Sequence, residues 1–222
     1  MPQTVTPKAK RASPPKAAPS KKANASTALR ILDAAITLFS RNGYDGASTT
    51  EIALASGVAQ SVVLYHFDSK DALWHAAMDR LFDRIHAEFR RDRDVLRDLS
   101  SVDRLKVWIR QLVVTSAAHP ELGRVMMMEG TSGGARLQWL IKRHLGADYQ
   151  LYETHFKRAM SEGRVKPLPA FPLTILVHAA ATMLFTLSPL VEAVSGRSPM
   201  HKDTITAQAD MVVDVLFNGF LK

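Results

Sequence analysis

Residues 48–67 carry the pattern that most restricts the fold of this chain: two short helical segments separated by a turn at Gly57. The stretch from Ser48 to Glu51 has the form of a capping box, in which each side chain satisfies a free backbone amide at a helix start. The first segment therefore begins at Ser48 and ends before Gly57. Two helices this short, joined by a glycine-containing turn, indicate a helix-turn-helix arrangement.

The second segment, residues 60–67, consists largely of residues that favour β-strands. On a helix, however, Val63 and Phe67 lie four positions apart and point inward together with Val58. The opposite face then carries Gln60, Ser61, Leu64 and Tyr65. We therefore predict that this segment is a helix and that its strand-favouring residues pack it against neighbouring helices. Tertiary contact can override local propensity in this way.

Helical periodicity continues on both sides of this motif. Apolar residues recur at helical spacing up to the typical helix stop at Asn42-Gly43, which predicts a first helix over residues 26–42. A fourth helix begins at residues 68–70 and runs toward residue 92. Further helices are predicted over residues 102–118, 121–129, 137–160, 171–191 and 205–220. The expected fold class is all-α, with a three-helix helix-turn-helix domain over residues 26–72 and a larger helical domain over residues 73–222.

The positive charge of the chain is concentrated at its start. Residues 1–32 contain seven Lys and Arg and no acidic residue, against a net charge of +8 for all 222 residues. Residues 1–25 are also rich in Pro, Ala, Ser and Lys, a composition that predicts a disordered basic tail. Such a tail either keeps the protein soluble or lies along DNA phosphates or in a minor groove.

The absence of cysteine excludes a disulfide scaffold and any cysteine-based metal or redox site. No apolar block of signal-peptide length occurs in residues 1–28, so we expect a cytoplasmic protein. The 21 uncharged residues 171–191 reach the length of a membrane span, but they contain two prolines, a histidine and several hydroxyl residues. A helix buried in a dimer explains that run better, and no membrane association is expected.

A set of motifs at fixed spacing resembles the DNA-binding domain of the TetR family of transcriptional regulators. These motifs are Leu38-Phe39, Asn42-Gly43-Tyr44, Ser48, Glu51-Ile52-Ala53, Ser56-Gly57-Val58, Tyr65-His66-Phe67, Ser69-Lys70 and Leu73. The resemblance implies that residues 60–66 form the recognition helix, that Ser48 and Lys70 hold phosphates, and that the C-terminal helices bind an inducer and form a homodimer. Leu64 departs from the family, which very commonly has Tyr there, and this leaves open whether that position makes a polar or only an apolar DNA contact.

The residues themselves support a DNA-binding surface. Lys70, at a helix start, combines its charge with the helix dipole into an anion site, while Thr50, Gln60 and Ser61 can reach base edges. The full set of candidate DNA contacts is Ser48, Thr49, Thr50, Gln60, Ser61, Val62, Leu64, Tyr65, His66 and Lys70.

The predicted helix 137–160 places polar groups along an apolar stripe. Leu137, Ile141, His144, Asp148, Tyr152, His155 and Ala159 follow three-four spacing. Inward polar groups are either ordinary hydrogen-bonded buried residues or contacts to a small, mostly apolar inducer. His144 and His155 would lie about 16 Å apart on a straight helix, too far to share a metal ion. Further candidates for the ligand pocket are Trp108, Met127, Trp139, Phe156 and His178.

We expect a homodimer formed by the helices within 171–194 and 205–220, with Phe185 as an inward residue of the interface. The stretch Gly130 to Gly134 matches a G-x-S-x-G nucleophile elbow, but the preceding residues are helical rather than a strand, so a helix-helix turn is the better interpretation. No enzyme, cofactor or metal is expected. The predicted function is a ligand-responsive transcriptional repressor that binds a palindromic operator as a homodimer and is released by a small-molecule inducer. The alternative is a constitutive or architectural DNA-binding protein without an inducer.

Overall fold

The computed structural model describes the backbone of residues 21–90 and 98–220 and the side chains of residues 24–90 and 98–218. Its elements are α1 (Lys21–Gly46), α2 (Thr49–Ser56), α3 (Gln60–His66), α4 (Lys70–Arg90), α5 (Ser101–Ala118), α6 (Pro120–Ser132), α7 (Ala135–Leu140), a π-helical turn (Ile141–Leu145), α8 (Gly146–Ser161), α9 (Ala170–Thr186), α10 (Ser188–Ser195) and α11 (Lys202–Phe220). The described residues form helices and connecting turns without a strand, which confirms the all-α class. Residues 1–20, with most of the predicted basic tail, lie outside the described residues.

The first four helices share one apolar core with α6 and α7. Ile31 and Phe39 of α1, Ile52 of α2, Val63 of α3 and Trp74 of α4 are all buried in it. Helix α1 begins five residues before its predicted start, because Lys and Ala at residues 21–25 are good helix formers. It is interrupted near its predicted end, where Gly43 has φ 72° and ψ 175°, a conformation that favours glycine.

A second apolar core joins α5, α8, α9 and α11. Its buried members include Ile109 of α5, Phe156 of α8, Phe185 of α9 and Val213 of α11. Helix α6 lies between the two cores, because Val125 is buried in the first one whereas Gly123 packs closely against Thr186 of α9. The helix therefore connects the two parts of the molecule.

The predicted helix 137–160 is not uniform. The amide of Gly146 donates to the carbonyl of Ile141, five residues earlier, and closes a π-helical turn. A Cβ at position 146 would lie 2.9 Å from that carbonyl oxygen, so glycine suits this wide turn. The expectation that Ile141 points inward is wrong: it is exposed, because the extra residue of the turn breaks the three-four register.

The predicted helix 171–191 is also divided. Helix α9 ends at Thr186 and α10 begins at Ser188, with a bend of 66° between them. Pro189 stands in the first turn of α10, where a proline starts a helix more easily than it continues one. In the described parts of the chain, no single helix is long and apolar enough to cross a membrane. Among these residues, only α9 and α10 taken together have the necessary length and apolarity, and they are bent relative to each other.

Candidate DNA-binding surface and ligand cavities

The short helices α2 and α3 have the predicted geometry. Ser48 Oγ accepts from the amide of Glu51 at 3.1 Å, and the Ser48 amide donates to the Glu51 carboxylate at 2.9 Å, which confirms the capping box. The Ser48 hydroxyl also donates to the Glu51 carboxylate at 2.8 Å, and this bond, followed by the one from the Ser48 amide, holds the pKa of the Glu51 carboxyl below its usual value. Helix α2 ends at Gly57, whose φ of 69° is left-handed.

Helix α3 presents one face to the core and one to the outside. Val63 is 1% exposed, whereas Tyr65 is 75% exposed and Leu64 also faces outward, as the sequence predicted. Gln60, at the start of α3, donates from Nε2 to Thr49 Oγ1 of α2 at 3.2 Å. Among the other candidate contacts, Ser48, Thr50 and Ser61 are exposed and Thr49, Val62, His66 and Lys70 are half-buried. The candidates therefore lie on α2, on α3 and at the starts of α2 and α4.

Lys70 begins α4 beside the end of α1. Its Nζ lies 4.6 Å from the centroid of the Tyr44 ring and donates to the Asp45 carbonyl at 3.4 Å. In the same turn, the amide of Ala72 donates to Ser69 Oγ at 3.0 Å. A cation at a helix start is suited to bind an anion, because the free amides and the helix dipole act in the same direction.

Two neighbouring cavities lie between α4 and the C-terminal helices. The first, which we name the basic cavity, has a volume of about 510 Å³. Its lining residues are His86, Phe89, Arg90, Arg104, Leu105, Trp108, Asp148, Leu151, Tyr152 and His155. Two arginines against one carboxylate make this cavity favourable for an anionic group.

The second cavity, which we name the apolar cavity, has a volume of about 250 Å³. Its walls include Phe82, Ile85, Leu112, Leu122, Gly123, Met126, Met127, Leu145, Tyr149, His178, Thr182, Met183 and Thr186. It shares Phe89, Asp148 and Tyr152 with the basic cavity. A single molecule could therefore reach from one cavity into the other past these three side chains.

Aromatic rings form the wall between the cavities. Trp108 lies 4.6 Å from Tyr152 and 5.8 Å from His178, measured between ring centroids. Tyr149 stacks on His178 at 5.2 Å. Burial raises the pKa of the Tyr152 hydroxyl well above its usual value, so this group stays protonated. The wall thus offers flat apolar surfaces together with a few polar atoms.

His178 has a defined chemical state. Burial lowers the pKa of its imidazole, and Nδ1 lies 2.9 Å from the Thr174 carbonyl oxygen. A neutral ring that donates from Nδ1 to this carbonyl leaves Nε2 as an acceptor. Burial, followed by the nearby charges of Arg104 and Arg158, also lowers the pKa of His155. Asp148 is held by His86, with Oδ2 and Nε2 2.9 Å apart.

The structure brings together six of the nine predicted ligand residues: Trp108, Met127, Asp148, Tyr152, His155 and His178 line one or both cavities. The other three pack elsewhere. Trp139 lies against His75 with ring centroids 4.4 Å apart, His144 stacks on Phe82 at 4.2 Å, and Phe156 is buried in the C-terminal core.

Several cavity residues were missed at the sequence level. Phe89 belongs to α4, Arg104 to α5 and Tyr149 to α8. Arg104 and Tyr149 had a visible signal, because Arg104 lies four residues before Trp108 on α5 and Tyr149 lies three residues before Tyr152 on α8. Within residues 21–90 and 98–220, no three His, Asp or Glu side chains come together in a way that could hold a metal ion.

Comparison with known families agrees with this architecture. Residues 31–77 match the family described as bacterial regulatory proteins, tetR family, and residues 82–222 match the C-terminal region of YcdC-like proteins. The chain belongs to the TetR family. It is a transcriptional regulator with a DNA-binding helix-turn-helix, and TetR-family proteins are regulators rather than enzymes.

Curated relatives within the TetR family include two regulators. The HTH-type transcriptional regulator RutR of Escherichia coli K12 is 28% identical over 189 residues, which cover 85% of this chain and 88% of RutR. IcaR of Staphylococcus aureus strain Newman, a negative regulator of a biofilm operon, is 39% identical over 57 residues, or 26% of this chain and 31% of IcaR.

Solved TetR-like structures share the fold at low sequence identity. FadR from Bacillus subtilis, in complex with stearoyl-CoA, has a TM-score of 0.63 at 17% identity and covers 86% of this chain and 98% of its own. AibR, in complex with isovaleryl coenzyme A and operator DNA, has a TM-score of 0.69 at 19% identity, and the match covers 86% of this chain and 98% of the AibR chain. The ketosteroid transcriptional regulator KstR2 of Mycobacterium tuberculosis has a TM-score of 0.70 at 15% identity, and the match covers 88% of this chain and 95% of the KstR2 chain.

Proposed function

We propose that this TetR-family protein is a cytoplasmic, ligand-responsive repressor. It binds a palindromic operator as a homodimer and releases it when a small molecule occupies the two cavities. The main support is the pair of adjoining cavities, whose apolar member is lined by α6, the helix that also packs against the DNA-binding core. Occupation of that cavity by a ligand that fits only one position of α6 would shift the equilibrium between two states of the protein.

The chemistry of the walls indicates the kind of ligand. The apolar cavity suits a hydrocarbon or aromatic body, with one donor directed at His178 Nε2. The basic cavity suits an acidic group, because Arg90 and Arg104 face it while Asp148 is held by His86. FadR and AibR form complexes with acyl-coenzyme A thioesters, which combine an acidic part with an apolar one, and this supports an amphipathic anion here.

The homodimer is supported by an exposed apolar face. Gln208 of α11 donates to the Ala180 carbonyl of α9 at 2.9 Å and so joins the two helices. Exposed apolar side chains lie along this seam and on α10: Leu176, Leu190, Val194, Met211 and Val215. An apolar face of this kind on two long helices is typical of an interface between copies of a chain.

Phe185 does not belong to that face, contrary to the prediction. It is 0% exposed within a single copy of the chain, where it packs in the C-terminal core. The sequence could not distinguish the two sides of α9, because apolar residues occur all around this helix.

The alternative of a constitutive or architectural DNA-binding protein requires a C-terminal domain filled by its own side chains. The two cavities favour the ligand-responsive function instead, since close-packed interiors contain few voids larger than a water molecule.

Operator selection from random DNA, followed by a ligand screen, tests the proposal. Selected sites should be palindromic, with half-sites separated by about one helical turn or a multiple of it. Carboxylic acids should raise the melting temperature and release operator more effectively than alcohols with the same carbon skeleton. Thr182→Phe, which fills the apolar cavity, should abolish both effects, whereas Thr154→Phe on the exposed side of α8 should keep them. Ligands that bind equally well to both variants would contradict the proposed site.

A further inference from the structure

Two cations from different parts of the chain lie over one aromatic ring. Lys70 Nζ is 4.6 Å and Arg136 Cζ is 4.1 Å from the centroid of the Tyr44 ring. Lys70 starts α4 in the DNA-binding region, whereas Arg136 belongs to α7, outside the helix-turn-helix. Each cation is attracted by the ring, since both distances fall within the range of a cation–π contact.

Tyr44 is held where the chain changes direction. The preceding residue, Gly43, has the positive φ that ends the regular part of α1. The Tyr44 ring stacks nearly parallel on Phe39, with centroids 6.0 Å apart and an interplanar angle of 10°. Because Phe39 is buried in the core, the ring is fixed relative to the DNA-binding helices.

Arg136 is held from the other side by a buried carboxylate. Its Nε lies 3.0 Å and 3.1 Å from the two carboxylate oxygens of Glu129, near the end of α6. Glu129 is 5% exposed, and a carboxylate at that depth requires a charged partner. Arg136 is therefore fixed to α6 by the pairing with Glu129 and to α1 by the contact with Tyr44.

We infer that Glu129, Arg136 and Tyr44 form a bracket that positions Lys70 for phosphate binding. Arg136 and Glu129 are positioning residues, since they act on DNA affinity through the Tyr44 ring rather than through contact with DNA. The bracket rests on the proposed phosphate contact of Lys70. Met126 and Met127 of α6 line the apolar cavity only two or three residues before Glu129, so the bracket also connects that cavity physically with Lys70.

The bracket predicts a specific defect for Arg136→Gln. A cation–π contact changes an equilibrium constant by a factor of roughly two to five, and a dimer makes the contact twice, so affinity should fall roughly four- to 25-fold. The loss should be the same on operator and random DNA, because phosphate contacts carry no sequence information. Arg136→Lys keeps a cation beside Glu129 and Tyr44 and should recover most of the affinity.

Arg143→Gln is the matched control. Arg143 lies on the neighbouring π-helical turn and pairs with Asp79, with Nε and Oδ1 3.1 Å apart, so this variant removes the same charge away from the Tyr44 ring. Affinities of the intact protein on both DNAs across a salt series, with melting curves to confirm folding, are the measurement. Arg143→Gln should leave affinity within about twofold of wild type, since one exposed distant charge is largely screened.

The double variant Arg136→Gln/Lys70→Ala decides the result. If the bracket acts through Lys70, Arg136→Gln should cause no further loss once Lys70 is alanine. An equal loss in both backgrounds, or an Arg136→Gln loss no larger than that of Arg143→Gln, would overturn the bracket. If Lys70→Ala itself leaves the salt dependence of binding unchanged, the proposed phosphate contact is wrong, and that failure is distinct from failure of the bracket.

Discussion

The orientation of the Gln60 side chain is fixed by a hydrogen bond to Thr49. The two residues belong to different helices, yet the hydrogen bond between them holds the Gln60 amide at the outer surface of the α2–α3 pair. An amide of this kind can donate to and accept from the edge of a base, which a phosphate-binding lysine cannot do selectively. We therefore propose that Gln60 serves sequence recognition and that Lys70 serves general affinity for DNA.

Gln60→Ala should cost roughly 1–3 kcal/mol on operator, with little change on random DNA or in the salt dependence. Lys70→Ala should instead weaken binding to both DNAs and reduce the slope of log affinity against log salt by about 1. Titrations of both variants on both DNAs provide the comparison. Equal losses on the two DNAs for Gln60→Ala would mean that α3 does not read bases.

The contribution of His178, a residue of the apolar cavity, to the stability of the fold depends on pH. Burial lowers the pKa of its folded-state imidazole below the ordinary value of 6.5, so below that pH the unfolded chain binds a proton that the folded chain does not. Its contribution to stability is complete above pH 6.5 and is lost as the pH falls.

His178→Gln, which retains a donor toward Thr174, should therefore show a shallower fall in melting temperature than wild type between about pH 7 and pH 5. His201→Gln changes an exposed histidine and serves as the control, with a wild-type profile expected. Parallel pH profiles for wild type and His178→Gln would show that the buried ring does not carry this dependence.

At the scale of elements, helices α6 and α9 pack so closely that position 123 has no space for a side chain larger than that of glycine. A Cβ added at Gly123 would overlap Thr186 Oγ1 and lie 3.1 Å from Thr186 Cβ. Gly130, seven residues later in the same helix, would meet nothing within 4 Å. The two glycines thus differ in packing while sharing one helix.

Gly123→Ala should destabilise the protein by about 1–3 kcal/mol, because overpacking forces α6 away from α9. Gly130→Ala should stabilise it by about 0.4–1 kcal/mol through the lower entropy of the unfolded chain. Denaturant unfolding of both variants gives the comparison, and Thr186→Ala should restore part of the stability in the Gly123→Ala background. A neutral Gly123→Ala would mean that the helices separate at little cost.

The helices differ in how much of their structure can be predicted from the sequence. The capping box at Ser48 and the left-handed Gly57 are local signals, so α2 and α3 were predicted closely. The π-helical turn and the bend at Leu187 depend on a carbonyl–amide pairing and on packing, which periodicity does not contain. Spacing on one helix also cannot show which neighbour a residue meets, and this is why Trp139 and His144 were grouped with the cavity residues although they pack against α4.

At the scale of the whole molecule, the interface proposed for the homodimer is the exposed apolar face of α9, α10 and α11. Val215 on α11 is 65% exposed and Val194 on α10 is 81% exposed in a single copy. Side chains of this size are costly to leave in water when they form a continuous face. The sequence predicts an interface within residues 171–194 and 205–220, and this stays a prediction. It does not show which side of α9 faces outward, since Phe185 is buried in the core of a single copy.

Val215→Asp should dissociate the homodimer while each copy stays folded, because the charge is buried only in the interface. Phe185→Asp should unfold the protein instead, and Thr154→Asp, on the exposed side of α8, should change neither property. Sedimentation equilibrium together with melting curves separates these outcomes. A wild-type protein that is monomeric at micromolar concentration would rule out the proposed interface.

The π-helical turn Ile141–Leu145 gives the chain an unusual route for divergence. Successive residues of a helix are rotated by about 100°, so deletion of one residue there would restore ordinary winding and turn all of α8 relative to α7. Asp148, Tyr152 and His155 would then leave the cavities together and other side chains of α8 would enter. A lineage carrying this turn can therefore exchange the side chains that α8 contributes to the cavities in one genetic step, by a codon gained or lost rather than by many substitutions.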